Sequence, residues 1–555
     1  MHKNQLMLRD GEILPHPLLP GKRARAIGVR FHICGNCSID TIAPHETCLW
    51  WWRINLPEIE KITRDEYDVI VAGAGNAALS AAIAARDGGA SVLVLEKAPM
   101  AARGGNSYFT GGLVRFPFSG IDDVEELIDP LSDDERALID LPTYSEEQLY
   151  TDLMRVSEGM ADPELSTTLV QNARPTLAWL RSHGVRWVLA YGRQSYKVDG
   201  RFKFWGGLPV EAVGAGDGLV DSLFEAADAI GVDITYGTMV DRLELADDGS
   251  IKGVIVRGLD GSSRVDCSAV VLACGGFEAN PEMRARYLGP GWDLATVRGT
   301  QYNTGDGLRM GISAGAQVAG HFSGCHAVAW DASAPKFGDR KIGDLFQKHS
   351  YPLGLIVNKA GERFVDEGAD FRNFTYAKYG KEILNQPGRI AFQVFDQQVV
   401  DMLRDEYRIK EVAKAESDTI RGLAEAFDID ADSFERTVSE YNDAVQDMAY
   451  DPAVLDGKST VGIAPPKSNW ALKLDQPPYV GFAVTCGITF TFGGLKINRH
   501  AQVIDTQERP IRGLYAAGEL AGGLWYENYP GGSGLTAGAV FGRIAGVHAA
   551  GLAVE

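Results

Sequence analysis

No stretch of this 555-residue chain approaches the roughly 18 consecutive apolar residues of a membrane-crossing helix, so none is expected. Cysteine is scarce. Its seven copies are scattered rather than spaced as a disulfide framework, which points to a reducing, cytoplasmic setting. Neither a C-x-x-C-H haem-attachment motif nor an iron–sulfur cysteine array occurs. Positive charge is also short: 54 Lys and Arg face 74 Asp and Glu, a net charge of −20. Such a surface repels nucleic acid and anionic membranes. It repels small anions too, so any polycarboxylate site needs its own local arginines and histidines. Internal repeats and low-complexity tracts are absent. What remains is the composition of an ordinary soluble enzyme, 45% hydrophobic and 23% charged, long enough for two or three domains.

The most specific local signal spans residues 67–96. Tyr67–Ala72 reads as a short buried strand. Gly73-Ala74-Gly75-Asn76-Ala77-Ala78 follows and fits G-x-G-x-x-A. Leu79–Arg86 reads as a helix stopped by Gly88-Gly89, and Ser91–Leu95 as a second strand ending on Glu96. Glu96 lies 23 residues after Gly73, the spacing that brings a carboxylate to a ribose hydroxyl. Together these form a dinucleotide-binding βαβ unit. Gly73 permits the tight turn, Gly75 lets the backbone approach a pyrophosphate, and Ala78 keeps helix and strand close. The helix N-terminus offers N–H groups and a positive dipole end to the phosphates.

Further glycine clusters decide which dinucleotide. Ala102-Arg103-Gly104-Gly105-Asn106-Ser107 follows the Glu96-Lys97 strand end. A buried-type strand, Val270–Leu272, runs into Ala273-Cys274-Gly275-Gly276-Phe277. Asn303-Thr304-Gly305-Asp306-Gly307, Ala517-Gly518-Glu519 and Tyr529-Pro530-Gly531-Gly532-Ser533-Gly534-Leu535 complete the series. In this order the chain resembles the fumarate reductase/succinate dehydrogenase flavoprotein family over about residues 65–552. One departure is Cys274, where the family's A-T-G-G has threonine.

The resemblance implies an α/β fold: a Rossmann-type FAD-binding domain with an inserted α+β capping domain. It places FAD contacts at Gly73, Gly75, Asn76, Ala77, Ala78, Glu96 and Lys97, and after them at Arg103, Gly104, Gly105, Asn106, Ser107, Gly111 and Gly112. Val240, Ala273, Gly275, Gly276, Asp306, Gly518, Glu519, Ser533, Gly534 and Leu535 supply the rest. A helix starting near Gly534 would turn its positive end to the flavin. Succinate dehydrogenases attach their flavin to a histidine just after the first cofactor strand. This chain has no histidine between His45 and His183, so non-covalent FAD is expected. No second Rossmann motif is evident. Electrons must then pass to or from a partner redox protein, a quinone or oxygen. Any membrane association of this cytoplasmic protein would be made through that partner.

The expected organisation is an N-terminal extension at 1–62, the FAD-binding domain at 63–321 and 489–555, and the capping domain at 322–488. Within the first part, Ile121–Leu141 reads as a loop with acidic turns, and helices are expected at Glu146–Gly159, Leu165–His183 and Gly218–Ile230. In the cap, Leu355–Glu367 carries a hairpin signal followed by an acidic turn, and helices are expected around Asp396–Tyr407 and Phe434–Met448. The extension is expected to be poorly ordered. Two other readings of it are a zinc site from Cys34, Cys37, His45 and Cys48 and a docking segment using Trp50–Trp52. No resident metal is expected.

Chemistry points to three residues. Arg363-Phe364-Val365-Asp366-Glu367 is similar to the R-F-V-N-E segment of fumarate reductases, which precedes an arginine that delivers the substrate proton. Arg372 is its counterpart here, one residue further on. Its open roles are proton carrier, carboxylate clamp and plain ion pair. His326 matches a substrate-binding histidine near the start of the cap, and His321 is a weaker candidate. Tyr529 sits where fumarate reductases carry a second substrate arginine. The family's other substrate histidine is missing ahead of Phe492-Gly493-Gly494, and its relay arginine and glutamate are missing ahead of Leu355.

Two subfamilies fit better. Arg103–Ser107, Phe204-Trp205-Gly206-Gly207 and Asn528–Gly532 are similar to tricarballylate dehydrogenases. The Tyr-Pro-Gly segment is also similar to 3-ketosteroid Δ1-dehydrogenases. The reading favoured by Arg372 is an acid: a small polycarboxylate loses a proton to a base and hydride to flavin N5, giving an alkene acid such as cis-aconitate. From another class comes a flavin-binding electron-transfer subunit without a substrate of its own.

Overall fold

The computed structural model of the chain describes residues 62–554 apart from residue 260. The zinc and docking readings of the N-terminal segment fall outside those residues. Strand β1 (Glu66–Ala72) leads through the glycine turn into helix α1 (Asn76–Asp87), then into strand β2 (Val92–Leu95). α1 starts inside the expected turn, capped by Gly75, and ends at Gly88 as expected. β1 pairs in parallel with β2 on one side. On its other side it pairs in parallel with the last residues of a long strand, β3 (Gly261–Leu272). The first half of β3 forms a hairpin with Ile251–Gly258, and its end also pairs with Pro510–Ala516. One eight-stranded sheet therefore holds segments from both ends of the described chain.

A second, six-stranded sheet is built on strand β4 (Tyr479–Thr491). Antiparallel partners Cys325–Asp331, Ala391–Phe395 and Lys414–Ser417 flank it, and Thr296–Val297 joins its far end in parallel. β4 is apolar almost throughout because both its faces are covered.

The closing helix α2 (Ser533–Val554) packs along α1. Gly542 and Gly546 leave no room for a Cβ against the Ala77 and Ala81 carbonyls. Asn76 Nδ2 donates to the Leu535 carbonyl at 2.8 Å, joining the two helix starts. By length and composition the stretch Ser533–Leu552 could cross a membrane, although no long uninterrupted apolar run was found there. It is 61% buried within the fold, and its apolarity is that of a small-residue core helix.

Several local expectations are corrected. Ile121–Leu141 is not a plain loop: it holds helices Ile121–Glu125 and Asp133–Ala137. Its acids sit in first helical turns, and Ser132 and Glu135 form a reciprocal capping box. The hairpin at Leu355–Glu367 shrinks to one bridge, Val357 to Arg363, because Leu355–Val357 pairs with Ala391–Phe395 instead. Asp396–Tyr407 forms two short 3₁₀ turns rather than a helix. The helix expected at Phe434–Met448 runs Ala431–Ala444. A preceding helix, Ile420–Phe427, was not read at all.

Candidate active site

A long cleft opens where the β1 turn, the end of β3 and the start of α2 meet. It contains about 1740 Å³ of empty space, part of it open to solvent. Its lining runs from the Gly73 turn and Glu96 to Arg372 and Tyr529, so the cleft suits an extended ligand with room beyond it for a second, smaller one. Its first half is lined with main chain. Gly73 has φ +104°, and a Cβ there would lie 2.6 Å from the Ala273 carbonyl oxygen, so the turn accepts glycine alone. Gly105, with φ +55°, faces open space: a Cβ would meet nothing nearer than Gly75 Cα at 3.9 Å. A ligand can approach the backbone there as no side chain would allow. Glu96 is buried at the tip of β2, where its carboxyl accepts from the Ala98 N–H at 2.6 Å. Burial pushes its pKa up against those main-chain bonds. Lys97 Nζ is held by Asp306 at 2.5 Å and Thr304 Oγ1 at 2.7 Å.

This half fits FAD. The glycine cradle could hold a pyrophosphate, and Glu96 stands where a carboxylate would meet a ribose hydroxyl. The 22-residue helix α2 begins on the cleft with Gly534 and Leu535 in the lining. Also in the lining are Gly73, Gly75, Asn76, Ala77, Glu96, Lys97, Gly105, Asn106, Ser107, Gly111, Val240, Ala273, Gly275, Asp306, Gly518 and Glu519. The other residues named from the motifs stand behind this wall. Gly104 abuts Val220 and Gly112 abuts Ala215. Arg103 lies 4.0 Å over the Phe224 ring and pairs with Asp221. Ala78 and Ser533 are buried in helix packing, and Gly276 lies against Glu519.

The far half is lined by side chains. His326, Arg372 and Tyr529, from three distant segments, are brought together there. His326 stands on the strand Cys325–Asp331, 5.1 Å from the Phe490 and Tyr529 rings and 4.8 Å from Tyr376. Burial, aided by Arg298, holds its pKa well below the ordinary value, so the ring is neutral. His349 also packs against Tyr376, at 4.9 Å, and is neutral for the same reason, with Arg372 as the second cause.

Arg372 sits in the short turn Arg372–Phe374. The Asn373 carbonyl accepts from Gly531 N–H at 2.8 Å, and Asn528 Nδ2 donates to the Phe374 carbonyl at 2.6 Å. The Tyr-Pro-Gly loop thus fixes the arginine's turn. Beneath it, the motif's own Arg363 and Glu367 form a buried ion pair, so they are structural. Arg372 Nη2 donates to the Arg193 carbonyl at 2.7 Å, and Nη1 lies 3.4 Å from His349 Nδ1. Burial, with the nearby Arg404 charge, pulls its pKa down to about 9.

Sequence reading missed much of this end. Arg298 is clamped to Asp344 at 2.6 Å, and Arg193 reaches Glu211 at 3.4 Å and Asp344 at 3.7 Å. Among the described residues, Arg372 is therefore the one cleft-lining arginine without a carboxylate partner. Around it, Arg372 Nε, His326 Nδ1, His349 Nε2, Asn373 Oδ1 and the Gln194 amide are buried with no hydrogen-bond partner. Such groups normally find one, and their gathering at one place marks where a ligand's polar atoms go. No motif surrounds Arg193, Arg298 or His349 in sequence, so no signal could have found them. His321 is elsewhere: it receives the Glu527 N–H at 3.1 Å and lies outside the cleft lining.

Residues 68–535 match the family described as FAD binding domain. A probable fumarate reductase of Shewanella frigidimarina is 31% identical over 488 residues, covering 87% of this chain and 74% of that protein. A vinyl phenol reductase of Lactiplantibacillus plantarum is 29% identical, covering 88% of this chain and 97% of that one. The open conformation of a flavocytochrome c3 fumarate reductase superposes with a TM-score of 0.66 at 28% identity, covering 94% of this chain and 83% of the other. Glycine cradle, motif order and these likenesses agree: the chain belongs to the fumarate reductase/succinate dehydrogenase flavoprotein family and is an FAD-dependent oxidoreductase acting on carbon–carbon bonds.

Proposed function

We propose that this enzyme interconverts a carbon–carbon single and double bond next to a carboxylate, with Arg372 facing that carboxylate and exchanging the proton on the adjacent carbon. One observation carries the reading: Arg372 is buried in the cleft without an acid of its own. An uncompensated buried cation is costly, and an anionic substrate offsets the cost. Its lowered pKa makes the guanidinium a better proton donor than an exposed arginine. His326 and His349, both neutral, orient the substrate through hydrogen bonds rather than charge. Bound FAD supplies the two-electron chemistry, and a separate redox partner, quinone or oxygen exchanges electrons with it. In this reading the region 322–488 is the cap over the substrate, since it carries His326, His349 and Arg372.

The residues also bear on substrate size. A tricarballylate-like substrate brings three carboxylates to one unpaired guanidinium. A small acid with one or two carboxylates and a flat body along His326, Tyr376, Phe490 and Tyr529 is better served. The vinyl phenol reductase among the relatives is named for a flat substrate, one that carries no carboxylate. A 3-ketosteroid is the second reading, favoured by the hydrogen-bonded hydroxyls of Tyr376 and Tyr529. The test is anaerobic. Oxidised holoenzyme is mixed with saturated acids, tricarballylate and ketosteroids, and chemically reduced holoenzyme with alkene acids and vinyl phenols. Bleaching or recolouring by a mono- or dicarboxylate alone supports the proposal. A response confined to neutral ketosteroids or vinyl phenols defeats it.

A further inference from the structure

Behind the FAD half of the cleft stand two carboxyl groups that the chemistry above does not use. Glu519 follows Ala517-Gly518 and lines the cleft beside Gly275. Glu278 follows Gly275-Gly276-Phe277 and is fully buried. Each is pinned from outside the pair. Glu519 Oε1 accepts from the Thr491 N–H at 2.7 Å and the Thr491 hydroxyl at 3.1 Å. Gly276 packs so closely that a Cβ there would strike the Glu519 carboxyl. Glu278 Oε1 accepts from Asn106 Nδ2 at 2.7 Å. Its other oxygen, Oε2, is buried with no donor among the described residues. The two carboxyl groups are within hydrogen-bonding contact of each other.

Two carboxylates cannot hydrogen-bond without a proton, and two buried negative charges in contact repel strongly. No cation forms an ion pair with either carboxyl among the described residues. Arg284 is a buried cation nearby, but its guanidinium donates to the main-chain carbonyls of Glu278, Trp292, Asp293 and Ala295 rather than to either carboxyl group. Cys325 and Cys486 also lie close to Arg284, and burial holds both thiols protonated, Cys486 at about 12. Asn303 lies beside Glu278 but carries no charge. Burial and the Glu519 carboxyl push Glu278 well above the ordinary 4.5, and burial pushes Glu519 up as well.

We propose that Glu278 and Glu519 share a single proton in the resting holoenzyme, and that this proton sets the charge against which electrons are added to bound FAD. Shared, the pair carries one negative charge; without the proton it would carry two. Adding electrons to the cofactor raises the pair's affinity for protons, so pair and flavin titrate together. Glu278 thereby acts as a positioning residue: it touches no substrate and works through the charge of Glu519.

The test uses infrared spectra of the holoenzyme at pH 7, comparing the parent protein with Glu278→Gln and with Glu519→Gln. Sharing predicts a protonated-carboxyl band in the parent that disappears in both variants. Absence of the band, its survival in both variants, or its loss in only one overturns the proposal. Should Glu519→Gln lose FAD, the flavin potential of the parent and Glu278→Gln is measured against pH. Glutamine keeps the contact and leaves one charge, so the potential at pH 7 stays close to the parent's. The parent's profile carries an extra pH-linked break that the variant lacks. Matching profiles, or a potential clearly raised at pH 7 by Glu278→Gln, contradict a shared proton.

Discussion

The two halves of the cleft are built on different principles. The cofactor half is made of main chain, with turns at Gly73–Gly75, Gly104–Gly105 and Gly275–Gly276 set by short contiguous motifs. The substrate half is made of side chains delivered by separate strands, helices and turns from residue 193 to residue 529 and held by cross-links such as Arg298–Asp344 and Gly531–Asn373. A main-chain site can be written in four consecutive residues, whereas a side-chain site must be folded before it exists. The first should fail as a unit when its backbone is obstructed, and the second should fail one function at a time.

The sharpest way to break the contrast is Gly73→Val. A Cβ cannot fit 2.6 Å from the Ala273 carbonyl, so the variant should keep its circular dichroism and lose its flavin absorbance. Full flavin content would contradict the backbone account. Arg372→Lys should do the reverse: FAD content holds while kcat falls by about 10²–10⁴, because lysine lacks the planar fork and titrates differently. A loss near roughly tenfold would reduce Arg372 to a helper. In the reducing direction Arg372 must carry its proton. Its pKa of about 9 in the free enzyme therefore places the loss of rate on the alkaline side, with kcat/KM dropping about tenfold per pH unit beyond that value. A flat profile to pH 10.5 would remove it as the proton donor. His326→Ala should raise KM by about tenfold with little change in kcat, since a neutral binding histidine acts before the chemical step. A fall in kcat alone would reverse that assignment. The smallest manipulation is acid precipitation, which should release the flavin to the supernatant. Flavin left in the pellet would mean a covalent link.

That same contrast explains what was legible beforehand. β1, α1 and β2 were readable because apolar runs, glycines and Glu96 lie in one stretch of sequence. α2 was readable from Gly534 onward for the same reason. Arg372, His326 and Tyr529 were found through motif likeness. Their companions Arg193, Arg298, Asp344 and His349 were not, because each is ordinary in its local context and gains meaning from neighbours 27 to 151 residues away. The misread Ile121–Leu141 segment teaches a smaller lesson. Acids in a polar stretch look like a solvated loop until a serine three residues ahead of a glutamate is recognised as a cap.

The central claim is that one buried, unpaired arginine selects a carboxylate for chemistry at the flavin. Anaerobic stopped-flow of the reduced holoenzyme with an alkene acid, with the corresponding uncharged amide, and with the acid on Arg372→Lys tests it in one experiment. The account predicts rapid flavin reoxidation by the acid, and reoxidation slower by at least about a hundredfold with the amide or with the variant. Equal rates for acid and amide in the parent protein would show that Arg372 does not read the carboxylate.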